Sequence, residues 1–352
     1  LPLQRSSKTD DGQGMSTTQY AMESVANLGL LKMDFLGLAN LTILSNVISL
    51  IADHVDVDLP LNRIPLDDKK TFDLLSNGET FGVFQLEGTG MTRYIKELIP
   101  TSVDDVAAMI ALYRPGPMDH IGTFIDAKHG RVLPTYPHPA LEDMLKQTYG
   151  VIVFQDQVLL IAQAFAGYSL GEADIVRKAM GKKIPAIMAQ EREKFINGAL
   201  SQGYSQPLAN EVFGLIEPFA GYAFNKAHSV SYGLISYWTA YFKANYPVEF
   251  LVCLLNAYKG NSDKVSGAVV EAHRLKIPVL GPDINHSEED FSIHKQKNGD
   301  RAIRFGLSSI KNVSKTAIRP IVEERKGKGS FKSIEHLCLD GTLSSVNRKA
   351  LE

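Results

Sequence analysis

The chain has 352 residues, 44% hydrophobic and 22% charged, with a formal net charge of −2. That length and composition suit two or three folded domains and exclude a disordered polymer. The two cysteines, Cys253 and Cys338, exclude a disulfide scaffold and a cysteine zinc site, and near-neutral charge confines any nucleic-acid contact to local patches. The longest apolar runs, 41–52 and 250–255, fall short of the roughly 20 residues a bilayer crossing needs. No basic-then-apolar leader opens the chain, so no membrane role and a reducing, cytoplasmic compartment are expected. It opens without methionine and reads as an excerpt of something longer.

Residues 1–20 are polar and read as a loop. Residues 29–38 read as a strand ending at a glycine turn, and 39–53 as a helix, because Leu41, Leu44, Val47, Ile48 and Ile51 recur at helical spacing. Asp67 or Asp68 can cap a short helix ending at Asn77-Gly78, and 80–86 reads as a strand. A helix opened by Thr101 or Ser102 stops at Arg114-Pro115-Gly116-Pro117. Ser169 and Glu172 form a capping box, Gly181 ends that helix, and Pro185 suits the first position of the next. A longer helix is expected over 226–245, closed by Pro247. After Pro282 a strand pair is expected near 291–294 and 301–304, followed by a basic segment. The sum is a mainly helical α+β chain, with strands near residues 30, 80, 150 and 300.

Several groups of side chains could carry chemistry. On a strand Lys32 and Asp34 share one face, while Leu31, Met33 and Phe35 share an apolar face that should pack inward. A carboxylate beside an ammonium on a rigid strand suits metal-assisted phosphoryl transfer, although an edge ion pair explains the spacing more simply. Arg177, Lys178, Lys182 and Lys183 face one acid, Asp174, within 173–188. The cluster fits a triphosphate or a nucleic-acid backbone, or simply a solvated helix end. Asn225, Ser229, Tyr232, Ser236, Thr239 and Lys243 fall on one helical face opposite Val230, Leu234, Trp238 and Tyr241. Such a stripe is ordinarily the wet face, yet its small hydrogen-bonding groups suit a ligand, with Lys226 and His228 at the anion-favouring end. Residues 301–332 carry nine bases and two acids. Within them 307–318 resembles a helix-hairpin-helix, whose backbone amides point at a DNA phosphate, with Ser314 where the hairpin usually has glycine.

Taken in order, seven segments resemble one family. They are Lys-Met-Asp-Phe-Leu-Gly-Leu (32–38), Val-Phe-Gln-Leu-Glu (83–87) with Gly90-Met91, and Arg-Pro-Gly-Pro-Met (114–118). Tyr-Gly-Val-Ile-Val-Phe-Gln-Asp-Gln-Val (149–158), Arg-Lys-Ala-Met-Gly-Lys-Lys (177–183), Phe-Asn-Lys-Ala-His-Ser (224–229) and Pro-Asp-Ile-Asn (282–285) complete the set. The chain is similar over nearly its whole length to the family C DNA polymerases, the bacterial replicative polymerase III alpha subunits.

The resemblance implies the end of a polymerase-beta-like palm over 1–40, helical fingers over 41–275, and a helix-hairpin-helix DNA-binding region over 276–352. It implies that Asp34 is the third catalytic carboxylate and a ligand of two Mg²⁺ ions. Lys32, Arg177, Lys178, Asn225, Lys226, His228 and Ser229 would then meet the incoming dNTP. Arg114, Lys182, Lys183, Lys311, Lys315 and Arg319 would meet primer-template DNA. The family's other two palm carboxylates are expected upstream of Leu1, and the sliding-clamp peptide, with other replisome contacts, downstream. The fragment by itself is therefore expected to be inactive, since one carboxylate does not position two ions. The rival readings are a non-catalytic duplex-DNA-binding module, carried by the basic end, and a nucleotidyltransferase with a small acceptor.

Overall fold

The computed structural model describes residues 1–5, 16–31, 33, 37–181, 185–220 and 224–339. They divide into two compact units, Leu1–Ala39 and Asn40–Glu352. In the first, β1 (Leu3–Arg5) pairs antiparallel with β2 (Ser16–Thr18), Gln4 opposite Thr17, and α1 (Met22–Asn27) follows. Part of the expected loop is thus strand. The expected strand at 29–38 does not form among its described residues, and Leu31 and Met33 are 84% and 67% exposed instead of packing inward. A strand needs a neighbour for its amides and carbonyls, and no described residue pairs with this segment. Lys32 and Asp34 lie outside the described residues.

α2 (Ala39–Val55), all but its first residue in the second unit, buries Ile43, Leu44, Val47 and Ile51 as the spacing predicts. α3 (Lys69–Ser76) is capped by Asp68, whose carboxylate accepts from the Thr71 amide at 2.9 Å. α4 (Thr89–Leu98) and α5 (Val103–Leu112) follow, the latter opened by a capping box between Ser102 and Asp105. α6 (Ile121–Lys128), α7 (Glu142–Leu145), α8 (Gln155–Ala166), α9 (Leu170–Gly181), α10 (Pro185–Ser201) and α11 (Gln206–Ala220) come next. α8, α10 and α11 enclose one core, where Phe165 stacks on Tyr204 at 3.9 Å and Phe195 packs on Phe213 at 5.5 Å. α12 (Lys226–Asn245), α13 (Pro247–Ala257) and α14 (Ser262–Arg274) build a second layer against α3 and α5. Gly233 lets α12 approach α5 closely, since a Cβ there would sit 3.1 Å from that of Ala107.

The chain then forms a three-stranded sheet in the order β3 (Val279–Leu280), β5 (Arg301–Arg304), β4 (Ser292–Lys295). β5 runs parallel to β3 and antiparallel to β4, with Ile293 opposite Ile303. α15 (Lys315–Lys328) and α16 (Ile334–Leu339) close the described chain around Leu307, Ile318 and Val322 and around Ile321, Phe331 and Leu337. The mainly helical α+β architecture agrees with the sequence. Among the described residues no helix is long and apolar enough to cross a membrane.

Two other expected strands are absent. Residues 80–86 are consecutive turns, with Gly82 and Gln85 at φ 72° and 61°. Residues 151–153 form no strand, and next to them Phe154 makes only an isolated parallel bridge with Phe224.

The Ser169 capping box forms as read. The Ser169 amide donates to Glu172 at 2.9 Å, its hydroxyl at 2.8 Å, and the Glu172 amide returns to that hydroxyl at 3.3 Å. Those bonds, with Lys194 at 3.0 Å, hold the Glu172 carboxyl down at about 2. A carboxyl lowered in the folded state adds stability above its ordinary pKa near 4.5, and that contribution fades as pH falls towards 2. Ser169→Ala is expected to cost about 1 kcal/mol. It should also return the Glu172 midpoint towards ordinary values, which urea unfolding and NMR titration of the Glu172 carboxyl would report.

Candidate nucleotide and nucleic-acid interface

Three of the sequence motifs meet around the first turns of α12. Asn225 caps the helix, its side chain accepting from the His228 amide at 2.9 Å. Phe224, just before it, is fastened to the 149–158 motif from both sides. Its amide donates to the Val153 carbonyl at 3.2 Å, and its carbonyl accepts from the Gln155 amide at 2.9 Å. From the 114–118 motif, the Arg114 guanidinium lies 4.7 Å above the Phe224 ring. The Lys226 ammonium lies 5.7 Å from the Phe154 ring and donates to the Gln147 side chain at 3.2 Å. Among the described residues neither Arg114 nor Lys226 has an acidic partner within ion-pair distance. Two cations without counter-ions, seated on aromatic rings beside the start of a 20-residue helix, make a place for an anion.

The polar stripe of α12 has a different role from the one its spacing suggested. Ser229, Ser236 and Thr239 are fully buried, and Lys243 is 1% exposed. The Ser229 hydroxyl donates to the Ala107 carbonyl at 2.5 Å, so this residue fixes α12 to α5 and is withdrawn from ligand contact. The Ser236 hydroxyl donates to the Phe84 carbonyl at 2.8 Å, and the Phe84 amide donates to the Thr239 hydroxyl at 3.1 Å. The Lys243 ammonium donates to the carbonyls of Glu79 and Phe81 at 2.6 and 2.8 Å and pairs with Glu271 at 2.6 Å. Burial lowers the pKa of Lys243, against the pull of Glu271. The stripe is a seam that holds the 79–86 turns by their backbone. Val230, Leu234 and Trp238, expected on the buried side, are only half-buried.

The basic end is also less open than its residue count implies. Glu288, Glu289 and Asp290 stand opposite it. Lys315 pairs with Glu289 at 2.9 Å and Asp290 at 3.3 Å, and Arg319 lies 3.8 Å from Glu289. Arg325 and Lys326 both pair with Glu288, at 3.0 and 2.8 Å. The bonds to Glu289 and Asp290 raise the pKa of Lys315. The Arg325 guanidinium is a structural clamp as well, donating to the carbonyls of Ile284 and Ser287. Ser314 caps α15, its hydroxyl accepting from the Ala317 amide at 3.3 Å in ordinary extended backbone. The left-handed position of the hairpin is Asn312, at φ 68°. Lys311 is exposed, without an ion pair among the described residues. With Asn312 and the start of α14 it lines a cavity of about 870 Å³.

α9 carries Arg177 and Lys178 in its last turns, but their side chains, and all of Lys182 and Lys183, lie outside the described residues. Burial pushes the Cys253 thiol up to about 12, so it is not a nucleophile. Among the described residues no group of three or more His, Cys, Asp or Glu side chains is placed to hold a metal ion. Sequence reasoning missed Phe84, Gln147, Phe224 and the acids 288–290. The two aromatic residues stand inside quoted motifs, but nothing local announced their contacts.

The profile of the bacterial DNA polymerase III alpha subunit finger domain matches residues 40–203, and a helix-hairpin-helix motif matches 276–352. A finger-type helical segment followed by a helix-hairpin-helix segment is thus the class that sequence and fold define. Over its full length the chain is 47% identical to the DNA polymerase III subunit alpha of Thermus aquaticus and 45% identical to that of Bacillus subtilis. It covers 28% and 31% of those proteins. Against the same subunit of Aquifex aeolicus it is 45% identical over 97% of its length, covering 29% of the relative. The chain belongs to the family of bacterial DNA polymerase III alpha subunits and spans less than a third of the curated relatives it matches.

Proposed function

We propose that this chain is the finger-bearing part of a replicative DNA polymerase, serving template-directed transfer of dNMP to a primer 3′-hydroxyl. The observation that carries this reading is the convergence at the start of α12. Among the described residues Arg114 and Lys226 lack acidic partners, and they sit on aromatic rings, beside a helix N-terminus and an exposed imidazole, His228. An anion carrying a ring is the ligand such a surface suits, and a dNTP is both. Lys226 and Arg114 would hold phosphate oxygens, Asn225 keeps the helix end in place, and His228 offers a ring and a donor. Arg177 and Lys178 are proposed to join them on the triphosphate, with Lys182 and Lys183 on DNA. The proposed bounds are 1–40 for the palm end, 41–275 for the fingers and 276–352 for the DNA-binding region.

Such transfer uses divalent cations, Mg²⁺ in this reading, which offset phosphate charge. Asp34 is the proposed ligand, beside Lys32, but the described residues do not complete a divalent-ion site. Of the three cations proposed for duplex binding, Lys311 is the most available, while Lys315 and Arg319 would first have to leave Glu289. That pairing disfavours a module that works through its basic end alone. Arg114→Ala and Lys226→Ala are each expected to weaken binding of inorganic tripolyphosphate and of dATP to the chain by about tenfold, the usual worth of a charge-assisted contact. Calorimetric titration would measure this. Unchanged affinity in both variants would refute the phosphate role.

A further inference from the structure

A row of rings runs from the Arg114 site along α12 towards the 79–86 turns. Phe224 lies 5.4 Å from His228, His228 lies 4.1 Å from Tyr232, and Tyr232 lies 5.2 Å from Phe84. Successive rings are tilted by 42 to 53°, so none covers its neighbour completely. Phe224, Tyr232 and Phe84 are each half-buried and His228 is exposed. Among the described residues the Tyr232 hydroxyl has no hydrogen-bond partner within the protein.

The row is held from beneath. Phe84 is gripped through its own amide and carbonyl by Thr239 and Ser236, and Phe224 through its own by residues 153 and 155. His228 and Tyr232 are one turn apart on the helix that supplies those hydroxyls. Four rings are therefore fixed in succession, with two cations that have no acidic partner among the described residues at one end.

We propose that Phe224, His228, Tyr232 and Phe84 form a stacking platform for successive bases of single-stranded DNA, its backbone held by Arg114 and Lys226. The inference rests on the phosphate role proposed above for those two cations and adds a second ligand to the site. A row of aromatic faces beside positive charge is how sequence-tolerant single-strand surfaces are built, because every base has a π-face and every nucleotide a negative charge. A single nucleotide would need one ring, and the protein aligns four. The unpaired strand of a primer-template is the DNA with that chemistry.

The test uses the whole chain and two short single strands of equal length and charge. One carries 2-aminopurine at successive positions, and the other carries abasic sites. The base-bearing strand should bind at least about tenfold tighter than the abasic one, with its fluorescence quenched, since one stacked base is worth that much. Tyr232→Leu, and His228→Leu at the exposed position where folding is least at risk, should remove this advantage and the quenching. Abasic binding should stay unchanged in Tyr232→Leu. Equal binding of the two strands without quenching would overturn the platform and leave the phosphate role standing. Binding of neither strand, with no affinity for tripolyphosphate, would overturn both. Quenching of 2-aminopurine deoxyriboside triphosphate but not of the strand would show a single-nucleotide site and also refute the proposal.

Discussion

Replacing Lys243 with alanine is expected to lower the stability of the folded chain by about 3–5 kcal/mol, the usual result of breaking a buried ion pair from one side. The ammonium is the donor for two carbonyls in the 79–81 turn and the partner of Glu271. Arg274 stays on Glu271 at 2.8 Å, so the carboxylate keeps one cation. Among the described residues the two carbonyls keep no other hydrogen-bond partner, and the volume of the lysine stem is emptied. Lys243→Met restores most of that volume without the donor and should recover part of the loss. Equilibrium urea unfolding of the two variants separates packing from hydrogen bonding. An alanine variant within 1 kcal/mol of the native chain, read against that expected loss, would show that the seam is not structural.

Gly306→Ala should be the next most damaging change described here. Its backbone is ordinary at φ −73°, so the need is for space. A Cβ at 306 would lie 2.3 Å from the carbonyl carbon of Asp290 and 2.6 Å from its Cα, both main-chain atoms that cannot swing aside. The turn after Gly306 is bonded to the same strip, the Leu307 amide to the Glu288 carbonyl and the Ser308 amide to that of Glu289, each at 3.0 Å. Forcing them apart should cost about 1–3 kcal/mol. It should also loosen the grip of Glu289 and Asp290 on Lys315. A fall in the urea midpoint and a return of the Lys315 pKa towards its ordinary value are the measurable outcomes.

What could be read from the sequence was what neighbouring residues decide among themselves. The caps at Asp68, Ser102 and Ser169, and the span of α12, follow from side chains within four positions of the backbone they serve. The stripe on α12 was misread because period shows only that residues share a face, not what the face meets. The Ser229 hydroxyl finds its acceptor 122 residues away, and that of Ser236 finds one 152 away. The basic end was overestimated for a related reason. Counting charge within 301–332 leaves out the acids at 288–290, which are close only after folding. Residues 29–38 alternate like a strand, yet alternation supplies no partner for the ladder. The motif order pointed to the family, while the meeting of Arg114, Phe154, Phe224 and Lys226 needed coordinates.

The acids at 288–290 have a further consequence for how the carboxyl-terminal part would engage a phosphate backbone. Exposed ion pairs are weak and easily exchanged. At Lys315, Arg319, Arg325 and Lys326 an approaching DNA strand would therefore not find bare cations shielded by loosely held salt, but cations already neutralised by tethered carboxylates. Fewer mobile counter-ions leave on contact than the basic residues would suggest, which flattens the dependence of binding on ionic strength. The tethered carboxylates also push back against the arriving strand. Such a surface would discriminate against casual association and would release readily.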